Sequence, residues 1–174
     1  MQRFRRILFL LYCSLVFSTS VASAQPVQLS DLGAERFYLG LKIVAGQLHE
    51  SSGLQELTHI GRESADSPYD SYITSWDGTV IFIFANQAGY VSKVVVSGVR
   101  TNNPLSAKEM ARALFAISLC TGLTQQEISS LSYTKAMSTG SESIWGSQVH
   151  RRIAIEFYVY KNQANCFRFV AYDR

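Results

Sequence analysis

Between Ser30 and Leu48 the apolar positions Leu32, Phe37, Leu41, Val44 and Leu48 recur at mostly helical spacing, behind Ser30-Asp31 as a possible N-cap. The pattern predicts a helix over Gln28 to Gln47. Ser51-Ser52-Gly53 interrupts it, and Leu54, Leu57 and Ile60 predict a second, short helix ending at Gly61. Glu63 to Asp70 is polar with one proline and reads as a loop. The period then changes. Tyr72 to Trp76 and Thr79 to Phe84 are β-branched and aromatic runs joined by Asp77-Gly78, a two-residue hairpin signal because the turn needs positive φ at both positions. Asn86-Gln87-Ala88-Gly89 marks a second turn into Tyr90 to Val99, so three antiparallel strands form a meander. Val80 to Phe84 is apolar without alternation, as in a central strand covered on both faces.

After Asn102-Asn103-Pro104 the order repeats. Ser106 with Glu109 forms a capping-box pattern, and Met110, Leu114, Ile117 and Cys120 follow as a buried stripe that Gly122 ends. Leu123, Ile128 and Leu131 mark another short helix, and a Ser/Thr/Gly-rich loop runs from Ser138 to Ser143. Ile144 to Val149, Ile153 to Tyr160 and Cys166 to Tyr172 read as strands. Gly53 and Gly122 are 69 positions apart, as are Trp76 and Trp145, and the two Asn-Gln-Ala triplets are 76 apart. These markers predict an ααβββ unit written twice, in halves 28–101 and 102–174, with Asn-Gln-Ala as the same hairpin loop in each.

Charge and cysteine place the chain in a compartment. Arg3, Arg5 and Arg6, the apolar run Ile7 to Phe17 and Ala22-Ser23-Ala24 have the three parts of a secretory signal, so residues 1–24 are expected to be cleaved near Ala24-Gln25 and the remainder to be periplasmic or secreted. An apolar run of about 11 residues is short of the roughly 20 that span a bilayer. Cys13 lies in that run behind Tyr12, where a lipoprotein signal would want a small residue. The formal charge of +3 belongs to the signal; the mature chain has as many acids as bases, and apart from Arg151-Arg152 its basic residues are scattered. No nucleic-acid footprint is expected. Cys120 and Cys166 survive processing, and a pair in an exported protein predicts a disulfide, worth about 4 kcal/mol for a loop of this length in the chain-entropy model. Two separate buried thiols are the alternative. A five-residue loop between the last two strands would put Cys166 on the tyrosine face, and a four-residue loop would put it with Arg168 on the isoleucine face.

Candidate chemistry is sparse. His49, His59 and His150 have no cysteine or histidine at ligand spacing, and His59 with Glu63 supplies two ligands without a third. There is no nucleophile elbow, phosphate-cradling glycine loop or Ca²⁺ loop. No catalytic residue, cofactor or metal is therefore assigned. The aromatic residues Trp76, Trp145, Tyr158, Tyr160 and Tyr172, with Arg168, fall on strands; they are either half-buried core or anchors for a protein partner. Arg168 beside Glu156 reads as a cross-strand pair.

The expected fold is α+β, an antiparallel sheet with helices packed on one side. In layout alone it resembles the secreted β-lactamase inhibitory proteins and the small outer-membrane assembly lipoproteins built from one such unit. That resemblance implies a class of task and assigns no residue. The expected function is an exported, non-enzymatic protein that binds another protein, as an inhibitor or immunity-type module. An envelope assembly or accessory subunit, and a small hydrolase with an unrecognised site, are the alternatives.

Overall fold

A computed structural model describes residues 29–99, 107–139, 142–148, 153–160 and 166–173. Residues 1–24, expected to be a signal, and Ser106, His150 and the second Asn-Gln-Ala lie outside them. The described chain runs α1 (Ala34–Gln47), a 3₁₀ turn (Ser51–Gly53), β1 (Thr58–Gly61), β2 (Asp70–Trp76), β3 (Thr79–Ala85) and β4 (Val91–Val99). It continues through α2 (Ala107–Thr121), α3 (Gln125–Ser130), β5 (Thr134–Thr139), β6 (Glu142–Gln148), β7 (Ile153–Tyr160) and β8 (Cys166–Asp173). All eight strands form one antiparallel sheet in the order β1-β2-β3-β4-β8-β7-β6-β5. The fold is α+β, and the three described helices pack on one face of the sheet.

That face holds the main core. Phe37 and Leu41 of α1 and Ile117 of α2 are fully buried against Ile81, Ile83, Val94, Val96, Ile155 and Ala171. Burial of each large side chain stabilises by roughly 1.5–3 kcal/mol. Gly40 lets the helices approach, since a Cβ there would meet Leu119 at 3.3 Å. The stripe on α2 is rotated from the expected one: Ala113, Ala116, Ile117 and Cys120 are buried, and Met110 and Leu114 only in part. Leu48, expected at the buried end of the α1 stripe, is 41% exposed.

The turns follow their residue chemistry. Asp77 and Gly78 have φ of 51° and 89°, the two positive values the hairpin requires. At the β3–β4 loop the Asn86 carboxamide oxygen accepts from the backbone N–H of Ala88 and Tyr90, each at 3.0 Å, and Gly89 takes φ 85°. Thr124 and Glu127 form a reciprocal capping box at α3.

Two elements differ from the sequence expectation. Leu54 to Gly61 is not a second helix; its end is strand β1, with Thr58 opposite Ile73 and His59 opposite Tyr72. Apolar residues three apart fitted a helix, whereas the β-branched Thr58 and Ile60 favour a strand once an edge is available. The stretch Ser138 to Ser143 is not an open loop but the tight end of the β5–β6 hairpin, where Ser138 pairs with Ser143 and Thr139 with Glu142. Each half therefore supplies four strands, not three. Both edge strands have a register irregularity, at His59/Gly61 and at Lys135/Met137, which breaks the regular edge that another strand would need.

Candidate functional site

The face that none of the described helices occupies, called here the helix-free face, can be read row by row, because antiparallel register fixes which side chains are neighbours. Across β2, β3, β4, β8 and β7 the first row is Ser71, Phe84, Lys93, Tyr172 and Ala154. The second is Ile73, Phe82, Val95, Val170 and Glu156, ending at Gly146 on β6. The third is Ser75, Val80, Ser97, Arg168 and Tyr158, ending at Ile144 on β6. Phe82, Val95, Tyr158 and Val170 are its buried centre, with Ile73, Val80, Phe84, Ile144 and Tyr172 half-buried around them. None of the described helices lies on this side.

A polar network crosses this apolar face. The Glu156 carboxylate accepts from the Tyr158 hydroxyl at 2.6 Å and from the Tyr172 hydroxyl at 2.9 Å. Arg168 stacks on Tyr158, its guanidinium carbon 3.8 Å from the ring centroid. Burial, then the Glu156 contact, pushes the Tyr158 hydroxyl's pKa up, so it stays a donor. Beside Glu156 the sheet has a notch: a Cβ on Gly146 would meet nothing within 4 Å. In the middle of the first row, between Phe84 and Tyr172, the half-buried Lys93 places its ammonium 5.5 Å from the centroid of the Phe84 ring, and Tyr69 packs edge-on to Phe84 at 5.9 Å. Burial, and then the like charge of Arg168, lower the pKa of Lys93, while Glu156 partly opposes them.

The structure brings together three of the aromatic and cationic residues singled out from sequence: Tyr158, Arg168 and Tyr172 share this face. Trp76 does not belong with them. It is fully buried on the helix side, under the Arg112 guanidinium, and unavailable as a surface anchor. Its alternating position at the end of β2 points it inward. Trp145 is half-buried opposite Phe157, which packs with the helix-side core, so it lies on the other face. Tyr160 closes β7, and its side chain lies outside the described residues. Five residues separate β7 from β8, which selects the register placing Arg168 opposite Tyr158. Glu156 engages the two tyrosine hydroxyls, and Arg168 lies over the Tyr158 ring.

Cys120 is a free thiol, buried, donating to the Ile117 carbonyl at 3.1 Å, and burial pushes its pKa up. The expected bridge to Cys166 is not formed. Cys120 belongs to the helix-side core, and Cys166 opens β8 with its side chain outside the described residues.

Two further polar groupings lie outside this face. His59 Nε2 lies 2.7 Å from Asp70 Oδ1, beside the Tyr72 ring, on the exposed β1 edge. This replaces the His59–Glu63 pair, and among the described residues no hydroxyl nucleophile contacts His59. A polar cleft of about 270 Å³ is lined by His49, Glu50, Asp77, Lys108 and Arg112. Arg112 donates from Nε to Glu50 at 2.9 Å and from Nη2 to Asp77 at 2.8 Å, tying α2 to the 3₁₀ turn and the β2–β3 turn. Its donors are committed to holding the fold. Among the described residues no three His, Cys, Asp or Glu side chains gather as metal ligands, and no helix is long and apolar enough to cross a membrane.

Lys93, Phe84 and Glu156 were missed as site residues. The available signal was a lone charge inside the otherwise uncharged run Val91–Val99, which the β3–β4 register sets against Phe84. The chain matches no protein-family model, no curated protein and no solved structure.

Proposed function

We propose that this is an exported protein that binds another protein through the helix-free face of its sheet, acting as an inhibitor or immunity-type module. One observation carries the reading: an aromatic and aliphatic cluster, with an ordered polar network through it, lies on the side of the sheet that none of the described helices occupies. Large apolar faces with fixed polar groups and aromatic anchors are what protein interfaces use. The half-buried residues Ile73, Phe84, Lys93, Tyr172, Glu156 and Ile144 would make first contact. The signal-like residues 1–24 motivate a periplasmic or secreted location.

The two halves are also read as copies of one unit. Each runs helix, short turn or helix, then four strands; five residues separate β3 from β4 and β7 from β8, and both intervals contain Asn-Gln-Ala.

The test is capture from envelope and culture-supernatant extracts with wild type and with Phe84→Ala and Tyr172→Ala, each checked for an intact fold by circular dichroism. One stoichiometric protein, lost with either variant, is expected. Unchanged capture by both folded variants would remove this face as the binding surface.

A further inference from the structure

We propose that, while residues 1–24 are attached, the apolar run Ile7 to Phe17 lies across the helix-free face and covers it. That face is too buried for an open one. Phe82 and Val95 are each 4% exposed, and none of the described side chains of β2, β3, β4, β7 or β8 is exposed, Lys93 and Glu156 included. Neighbouring strands shield the flanks of a side chain but leave its tip in water unless a second layer stands about 10 Å above the sheet. All the described helices pack on the opposite face. Burial also lowers the pKa of Lys93, in the middle of the first row.

The covering layer comes from residues outside the described ones. Of these, the stretches 100–106, 140–141, 149–152 and 161–165 each hold at most one large apolar side chain, too little to cover a cluster that runs from β2 to β7. Residues 7–17 hold eight that are aliphatic or phenylalanine, and nothing from Ile7 to Ala24 is charged, so the run can pass beside Lys93 and Arg168 without repulsion. The connection is long enough. Leu29 is tied to the start of β4 through its N–H to the Val91 carbonyl. The chain from Phe17 to Leu29 can extend about 40 Å, against roughly 19 Å across five strands. If the helix-free face binds a protein, as the reading above holds, the uncleaved chain cannot bind its partner, and loss of residues 1–24 uncovers the surface.

Cell-free synthesis without membranes supplies the full chain with residues 1–24 attached, and export from cells supplies the processed protein. Both are treated with an amine-acetylating reagent and read by peptide mass spectrometry, with the exposed Lys108 as internal control. Lys93 should react at least about ten-fold more slowly in the full chain than in the processed protein, with Lys108 equal in both. Equal Lys93 reactivity overturns the proposal. Photoreactive phenylalanine at Phe9, Leu10 or Leu11 of the full chain identifies the contact, with isotope-mixed protein separating adducts within one chain from those between chains. Adducts to Phe82, Val95, Val170 or Tyr172 of the same chain are expected from at least one position. Adducts confined to α1 or α2, adducts only between chains, or none from all three positions overturn it. No partner takes part in either readout, so failure here leaves the protein-binding reading to its own capture test.

Discussion

Arg112→Met removes the guanidinium that joins three elements while keeping an unbranched apolar stem over Trp76. In the folded protein the Arg112 side chain is 6% exposed, Glu50 21% and Asp77 63%. These values rank the two ion pairs. Removing one partner of a buried pair costs roughly 3–5 kcal/mol, and exposed pairs are worth about 0–1 kcal/mol. The Glu50 contact therefore dominates. Lys108, whose ammonium is 3.8 Å from Glu50, can swing in and compensate part of the loss, so the lower end applies, about 3 kcal/mol. At about 2–4 °C per kcal/mol for a domain of this size, the melting temperature should fall by roughly 6–12 °C. Asp77→Asn keeps the positive-φ tolerance of the turn and should cost less than about 1 kcal/mol. The double variant Glu50→Met/Arg112→Met should recover much of the loss, because a buried pair replaced by apolar residues is often neutral. Urea melts followed by circular dichroism measure all four proteins. A loss below about 1 kcal/mol for Arg112→Met, or an equal loss for Asp77→Asn, would refute the reasoning.

Three further outcomes follow from particular residues. Lys93 has a folded-state pKa below that of an unfolded lysine, so between those two values the unfolded chain binds more protons and stability rises with pH. Wild type should therefore gain on Lys93→Met as pH is raised from 7 towards about 10, with urea midpoints as the measure; a constant difference would count against a desolvated ammonium. Gly78→Ala forces a Cβ at φ 89° and should destabilise by about 1–2 kcal/mol, whereas a melt unchanged from wild type would contradict the turn geometry. Cys120 should resist maleimide in the native protein and label on unfolding without reductant, read by peptide mass spectrometry; a Cys120–Cys166 disulfide peptide would contradict the free thiol.

Legibility in the sequence divided along local and non-local lines. The Asp77-Gly78 hairpin was legible because two adjacent residues dictate the backbone, and β3 was legible because Ile81, Phe82 and Ile83 are apolar on both faces. Strand β1 was not, since Leu54, Leu57 and Ile60 keep a helical spacing and the four residues Thr58–Gly61 become a strand only by pairing with β2. The rotated α2 stripe had the same origin: small residues such as Ala113 and Ala116 face the sheet because close packing needs them, and a pattern drawn from large apolar residues overlooks them. Tyr158, Arg168 and Tyr172 were found as strand aromatics and their neighbouring cation, but the meeting of the two hydroxyls at Glu156, with Arg168 over the Tyr158 ring, depended on a loop length that parity alone could not select. Trp76 was misplaced for a related reason. Its side was set by packing under Arg112, a residue 36 positions along the chain.

The most direct measurement is photo-crosslinking from two positions on opposite sides of the molecule. A photoreactive phenylalanine at Tyr172 sits on the helix-free face, and one at Leu39 sits on the outer side of α1, where the native residue is 56% exposed. After irradiation in the expressing cells and their supernatant, position 172 should yield one discrete protein adduct and position 39 none. An adduct from position 39 alone would contradict the claim that the helix-free face is the binding surface.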